Sequence, residues 1–316
     1  MFFRRHPSTL VLLAASLWAT SGLFIRFAAL PPASLAFFRM AIPAFVIAGV
    51  YLARRHRIAT EGIRIRLAAS SINAVRMLLY LVAFAHTTIA NAVVMLYTWP
   101  VFASFFGAVL LKERVDRTQK LLLLLAFSGI PLLYVGTELS FADEDVIGMT
   151  AMLASAILHA LTLILLKRAT PGNDRFESTL FQNLIGALVF IPALWIEGAR
   201  SASTMQLVAA VGYGGVVGLG GFTIFFVALH RLPAAVASNL TYFEVVMAIV
   251  LGLVVLGEPV TWNTLLGGSL IAVSVITAQL RSYRAELRAR EKGAAASGSA
   301  SASPSDAASA PSSGPG

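Results

Sequence analysis

One stretch of this sequence occurs twice, and it limits what the chain can become. Tyr97 to Val115 reads YTWPVFASFFGAVLLKERV, and 145 residues later Tyr242 to Val260 reads YFEVVMAIVLGLVVLGEPV. At that offset Tyr97 meets Tyr242, Ala103 meets Ala248, Gly107 meets Gly252, Leu111 meets Leu256 and Glu113 meets Glu258. Each copy holds an apolar run near the roughly 20 residues that a helix needs to cross the hydrocarbon core of a bilayer. A repeat at fixed spacing is an internal duplication, so the chain is expected to be built from two like halves.

Composition agrees with a membrane interior. Hydrophobic residues make up 58% of the 316 and charged residues 12%, about half the charged fraction of a soluble domain. There is no cysteine, which excludes disulfides, iron–sulfur clusters and thiolate metal sites. The histidines His6, His56, His86, His159 and His230 have no metal-ligand spacing, so neither a metal nor a cofactor is expected. The formal charge of +9 raises nucleic acid as a partner. The cations fall in short loops between apolar runs, as membrane topology requires, and no nucleic-acid partner is expected.

Hydropathy places ten spans, an all-α integral membrane protein. They run at about Ser8 to Phe27, Ala33 to Ala53, Leu67 to Ala85, Ile89 to Leu111 and Lys120 to Gly136, then Val146 to Leu166, Phe176 to Ile196, Leu207 to Leu229, Ala234 to Leu256 and Trp262 to Leu280. Residues 1–137 form the first five-span repeat, 138–145 an acidic outer loop, and 146–281 the second repeat. Residues 282–316 are a basic stretch followed by an Ala/Ser/Gly/Pro tail that cannot bury apolar surface and is expected to be disordered. With the N-terminus inside, 20 of the 24 Lys and Arg residues lie in inward segments. Arg26 and Arg200 lie outside, and Arg39 and Arg76 fall within spans. Both termini are then cytoplasmic in a bacterial-type inner membrane. Because each half has an odd number of spans, the halves are inverted relative to each other, a transporter architecture.

The chain resembles the EamA-type family of the drug/metabolite transporter superfamily. The resemblance rests on Tyr97-Thr98-Trp99-Pro100-Val101-Phe102 with Lys112-Glu113-Arg114, and on Tyr242-Phe243-Glu244-Val245 with Gly257-Glu258-Pro259. Ser16-Leu17-Trp18, Ala36-Phe37-Phe38-Arg39 and Ala228-Leu229-His230-Arg231-Leu232-Pro233 add to it, and it covers about residues 8 to 280. It implies a basket of helices around a central cavity. Similar proteins export amino acids and other metabolites, while relatives carry nucleotide sugars, vitamins or nucleosides. The family usually has proline directly after the ninth-span glutamate. Here that position is Val245, so a bend is expected at Pro100 and not assured in the ninth span.

Pro100 lacks an amide hydrogen and clashes one turn back near Leu96, so it is expected to bend the fourth span and act as a gate. Tyr97 and Trp99 offer surfaces for a planar or apolar substrate, with packing against neighbouring helices as the alternative of equal weight. Tyr242, the counterpart of Tyr97, is placed with them. Glu244 is the deepest carboxylate and needs a partner. Arg76, with Asn73 one turn before it, is the natural one, either as a permanent ion pair or as two poles for a zwitterion's amine and carboxylate. Arg39 is expected nearer the outer end of the second span. His159 corresponds to Trp18 at an offset of 141; it is a proton relay or an interhelical hydrogen-bonding group, the latter being the commoner case. Gln182 and Asn183 are expected mainly as interhelical glue, and the glycines from Gly212 to Gly221 as a close-packing face.

No nucleophile–base or metal motif supports an intramembrane enzyme, and no polar stripe supports a channel. The expected function is a secondary transporter in the lipid bilayer that takes a small-molecule substrate by alternating access. Amino-acid export is favoured, with aromatic or bulky apolar side chains, over a nucleotide-sugar, nucleoside or vitamin carrier. A receptor or scaffold is the non-transport alternative. Protons are the coupling ion considered, and the chain is expected to be a monomer or weak dimer. Its site is placed among the third, fourth, eighth and ninth spans.

Overall fold

Away from water, a backbone can satisfy its N–H and C=O groups only within itself. The computed structural model describes residues 6–87, 89–133, 135, 143–170, 175–196, 202–257 and 261–301, and no strand occurs among the described residues. Helices α1 (Pro7–Ala19) and α2 (Ser21–Ala28) are followed by α3 (Pro32–Ala53) and α4 (Ile63–His86). Next come α5 (Ile89–Leu96), α6 (Trp99–Leu110), α7 (Arg117–Leu133) and α8 (Asp143–Ala169). The chain continues through α9 (Arg175–Val189), α10 (Ala193–Ile196), α11 (Thr204–Gly212), a π-helical segment (Tyr213–Gly221) and α12 (Phe222–Leu229). It ends with α13 (Ala234–Leu240), α14 (Phe243–Leu256) and α15 (Trp262–Ser301).

Prolines occupy the first turns of α1, α3 and α6, where the missing amide breaks no helical bond. Ser203 and Gln206 start α11 with a reciprocal capping box.

Eight stretches of the described chain are long and apolar enough to cross a bilayer: Pro7–Ala28, Pro32–Ala53, Ile63–His86, Asn91–Leu110, Glu144–Ala169, Thr204–Leu229, Ala234–Val255 and Trp262–Ala285. The other two expected spans correspond to shorter helices, α7 with 17 residues and α9 with 15. The long helices turn apolar side chains such as Leu52, Phe105, Leu124, Val254 and Leu265 outward. Such an exterior suits lipid. The chain is a multi-pass membrane protein.

Several spans are interrupted, each for a local chemical reason. α5 stops at Leu96 and α6 begins at Trp99, so Pro100 falls in the first turn of a new helix. The expected bend at Pro100 is thus a break. The ninth span breaks at the corresponding place, between Leu240 and Phe243, although Val245 stands where the family has proline. A hydroxyl does this work. Thr98 Oγ1 donates to Met95 O at 2.6 Å and Thr241 Oγ1 to Ser238 O at 2.7 Å. In the first span, Thr20 Oγ1 donates to Leu17 O at 2.6 Å, between α1 and α2. A threonine bonded three residues back tightens the turn towards 3₁₀ geometry and interrupts the α-helical ladder.

The glycine-rich eighth span packs closely, as expected, and relaxes into a π-helix as it does so. A Cβ on Gly218 would stand 2.5 Å from the carbonyl oxygen of Arg39, so only glycine lets this backbone lie on α3. The tail departs from expectation. α15 continues helical to Ser301 because the Ala-rich stretch after Lys292 extends an established helix without a new nucleus; residues 302–316 lie outside the described residues.

The helices pack across the two halves. α4 lies against α8 and α9, α3 against α9 and the π-segment, α1 against α12 and α14, α6 against α8 and α13, and α7 against α15. At the end of the bundle that carries the basic loops, ion pairs bind these helices together. Arg66, fully buried on α4, donates from Nη1 to Glu177 Oε2 on α9 at 2.5 Å and lies 4.7 Å over the ring of Phe181. Glu113 accepts from Lys167 Nζ at 2.6 Å and from the Ala234 amide at 2.5 Å, while Lys167 also donates to Leu232 O at 2.6 Å. Gln119 Nε2 reaches Ala235 O at 2.8 Å.

Candidate functional site

The interrupted spans surround a central cavity of about 160 Å³. α1 contributes Trp18, α2 Ser21 and Ile25, α3 Arg39, and α4 Arg76, Met77 and Tyr80. Leu96, Tyr97 and Trp99 border it along the first break, His159 projects from α8, Tyr213 and Val217 come from the π-segment, Phe222 from α12 and Glu244 from α14. A helix break exposes side chains that a continuous helix would turn away, and so the cavity forms where the breaks meet.

Aromatic rings make nearly half of the wall. Trp18 lies 4.8 Å from Phe222 and 5.1 Å from Phe225, centroid to centroid. Trp99 meets His159 edge-on at 5.2 Å and 71°. These arrangements place ring faces and edges at angles typical of favourable aromatic pairs.

Charge is set into that wall with little compensation. Arg76 is 4% exposed; its Nε donates to Asn73 Oδ1 at 3.2 Å, and Asn73 Nδ2 donates to Gln182 O at 2.6 Å. Asn73 therefore orients the guanidinium, whose Nη2 is buried without a hydrogen-bond partner. Arg39 lies 5.0 Å over the ring of Phe222. Glu244 makes no ion pair within 4.0 Å among the described residues, nor does Arg39 or Arg76. The expected permanent pair between Glu244 and Arg76 is thus not formed. The two groups face one cavity from α14 and α4, and Arg76 is turned to Asn73 instead. Trp18 Nε1 and His159 Nδ1 are also buried without hydrogen-bond partners.

Of the residues singled out from sequence, Trp18, Arg76, Tyr97, Trp99, His159 and Glu244 line the cavity together. Asn73 stands behind Arg76. Tyr242 is fully buried and does not line it; its hydroxyl donates to Tyr97 O at 2.8 Å, and the two rings stack at 6.1 Å. Pro100 is also behind the wall, where its carbonyl accepts from Ser238 Oγ at 3.1 Å. Both contacts tie the fourth-span break to the ninth-span break. Gln182 meets Asn73 only through its backbone carbonyl, while its side-chain Oε1 is buried without a partner, and Asn183 Nδ2 bonds Thr179 O in its own helix at 2.8 Å, so neither side chain joins two helices as expected.

Arg39, Tyr80, Tyr213 and Phe222 were not anticipated in the site. Arg39 had a signal, since a cation inside a span belongs to a functional site by default. The tyrosines and Phe222 had none beyond being large residues in apolar helices.

The cavity opens in one direction. Beyond Glu244 it adjoins a space of about 590 Å³ that shares Trp18, Ser21, Tyr80, Leu96, Tyr97 and Glu244 and extends to Gly22, Phe84, Leu253 and Thr264. Those residues lie toward the ends of their helices remote from the basic loops. The opposite end holds the Arg66–Glu177 and Glu113–Lys167 contacts.

Comparison with known proteins fits this picture. The chain is 27% identical over 257 residues to the pseudopaline exporter CntI of Pseudomonas aeruginosa, covering 79% of this chain and 86% of that protein. It is 24% identical to human solute carrier family 35 member G1, over 86% of this chain and 78% of that one. It is 25% identical to an uncharacterized transporter of Archaeoglobus fulgidus, over 87% and 96%. A protein of known crystal structure superposes with a TM-score of 0.74 at 20% identity, covering 87% of this chain and 99% of the other, a likeness of fold. The profile of the EamA-like transporter family matches residues 7–135 and again residues 146–278, and the chain belongs to that family.

Proposed function

We propose that the protein exports small amino-acid-like metabolites from the cytoplasm by alternating access. The observation that carries this reading is the central cavity itself. Within apolar spans it presents a carboxylate and guanidinium groups that form no ion pair among the described residues, between aromatic walls and at helix breaks. Buried ionisable groups left uncompensated are costly, and a zwitterion that brings an amine to Glu244 and a carboxylate to Arg76 supplies what is missing. Trp18, Tyr97 and Trp99 favour a ligand with an aromatic or bulky apolar part.

The moving parts are two inverted five-span halves. Exchanging the two halves turns the larger inter-half packings into one another or into themselves: α4 on α8 becomes α12 on α1, α6 on α8 becomes α14 on α1, and α3 on α9 and α7 on α15 map onto themselves. This supports two five-span halves related as the sequence duplication suggests, and both termini are then placed on the cytoplasmic side of an inner membrane. The 590 Å³ space then faces outward, the ion-paired end is the closed cytoplasmic side, and the paired breaks at Tyr97–Thr98 and Thr241–Tyr242 are the hinges. Pro100 holds the first hinge open to bending. Glu244 is the proposed site of proton coupling, and the protein works as a monomer or weak dimer.

Nucleotide-sugar transport is the second reading, and one observation favours it. A phosphate-bearing substrate wants more than one cation, and Arg39 joins Arg76 in the cavity.

Counterflow in proteoliposomes tests the proposal. Vesicles are preloaded with unlabelled tryptophan, threonine or a nucleotide sugar, and uptake of the labelled counterpart is followed. Amino acids are expected to drive accumulation, and Trp99→Ala is expected to reduce it by an order of magnitude or more through lost ring contact. Accumulation driven by the nucleotide sugar alone overturns the substrate class, and silence from every compound overturns transport.

A further inference from the structure

We propose that the cavity selects ligands with two carboxylates and one amine over those with a single carboxylate, and that Arg39 is the residue that sets this preference. The inference rests on the transport reading above and adds the charge of the substrate.

The cavity's fixed charges do not balance. Arg39 and Arg76 both line it, and Glu244 is the carboxylate that faces them. Neither guanidinium group forms an ion pair among the described residues. A zwitterion with one carboxylate satisfies Glu244 and one arginine and leaves the other cation inside the membrane without a counter-charge. A ligand with two carboxylates and an amine has a net charge of −1 and brings the whole set to neutrality. The hydrogen-bonding inventory leans the same way. Arg76 Nη2 and Trp18 Nε1 are donors without acceptors, and His159 Nδ1 is also unpartnered, all on side chains more than nine-tenths buried. What the wall lacks is acceptor oxygens, which a second carboxylate provides two at a time.

Arg39 is the discriminating member of the pair. Asn73 fixes Arg76 from behind, which makes Arg76 the constant anchor for the carboxylate that every amino acid has. Arg39 lies on the face of Phe222, held by a ring instead of by hydrogen bonds, so its donors are available for a second anion.

Matched probes that differ by one carboxylate test this: L-glutamate against L-glutamine, and 4-carboxy-L-phenylalanine against L-phenylalanine, with UDP-glucose as the phosphate arm. Each is preloaded at equal concentration in the counterflow assay. The dicarboxylate of each pair is expected to drive exchange on the order of 10-fold or more better than its partner, the worth of one charge-assisted contact. Arg39→Gln is expected to collapse that ratio toward one, and Arg39→Lys, which keeps the charge, to preserve most of it. Monodisperse elution in detergent checks that each variant is folded; if Arg39→Gln does not fold, the wild-type ratio and Arg39→Lys decide.

A wild-type ratio near one or inverted, with the monocarboxylates transported, overturns this inference and leaves the transport reading intact. A ratio unchanged in folded Arg39→Gln removes Arg39 from the proposal. Exchange driven by UDP-glucose and not by the dicarboxylates replaces carboxylate with phosphate and overturns the class. Silence from all five probes defeats the transport reading and this inference with it.

Discussion

The protein uses charged residues in two places and treats them in opposite ways. At the end of the bundle with the basic loops, charges are matched: buried Arg66 with Glu177 at 2.5 Å, and Glu113 with Lys167 at 2.6 Å and the Ala234 amide at 2.5 Å. In the central cavity, Arg39, Arg76 and Glu244 face one another with no such pairing among the described residues. Both regions bear the expense of desolvating charge. At the tied end the protein itself supplies the counter-charge and gains a defined closure. In the cavity the charges are not paired off among the described residues, which is the condition for a ligand to bind by completing the pairing. A prediction that separates the two regions is that charge removal lowers stability at the tied end and lowers transport in the cavity.

The largest effect is expected from Glu177→Gln. It leaves Arg66 fully buried beside a neutral partner, and breaking a buried pair by removing one member costs about 3–5 kcal/mol. Thermal unfolding of the purified protein in detergent should show a drop of many degrees. A melt within error of wild type would mean that Ala59 and Glu61 carbonyls, which also accept from Arg66, hold the cation on their own. Glu113→Gln comes next. Its oxygens accept two donors from different helices, so a loss of about 1–3 kcal/mol is expected. Because this contact lies at the end opposite the larger space, the variant is expected, on the transport proposal, also to gain cysteine accessibility at Ser238 when probed with a membrane-permeant thiol reagent in Ser238→Cys. No change in labelling would separate the contact from closure.

Glu244→Gln sharpens the comparison from the other side. With no ion pair to lose, its stability is expected to shift by less than about 1 kcal/mol, while counterflow falls at least several-fold and loses its pH dependence. A large drop in melting temperature with intact transport would place Glu244 with the structural charges.

How much of this was legible in the sequence follows the same division. The duplicated stretch, the apolar spans and the family followed from patterns that are local or repeated, and the fold bears out the helical membrane architecture. Six of the eight substrate-binding candidates meet in one cavity because intramembrane polar and aromatic residues near the midplane have few other uses. Tyr242 was misplaced, since its likeness to Tyr97 concealed that it braces Tyr97 from behind. The break at Thr241–Tyr242 has no proline to mark it in the sequence, and a threonine's bond to the carbonyl three residues back breaks a helix without one. The pairing of Arg66 with Glu177, 111 residues apart, left no mark in either local pattern. Arg39 was visible as a cation in a span but not its depth relative to the cavity, which depends on how closely Gly218 lets the π-segment approach α3.

The smallest effect belongs to the pair at the rim of the tied end, and it tests whether matching charges there matters without burial. Asp116 accepts from the Gln119 amide at 2.7 Å and from Arg281 Nη2 at 2.9 Å, with side chains 62% and 40% exposed. The Gln119 amide, and after it the Arg281 charge, hold the Asp116 carboxyl below its ordinary range. A depressed carboxyl contributes stability above the ordinary pKa of about 3.9 and loses it as pH falls through the lower folded-state value. Asp116→Asn keeps an oxygen for the Gln119 amide, as asparagine caps helices as well as aspartate does, and removes only the charge. The expected loss is a few tenths of a kcal/mol, since exposed pairs are screened by water and salt. It should shrink as salt is raised and vanish as pH falls through the lowered folded-state pKa, below which wild-type Asp116 is itself protonated. A difference of more than about 1 kcal/mol that persisted in high salt would mean that closure at this end depends on charge matching even in water, and the contrast with the cavity would then rest on pairing alone and not on burial.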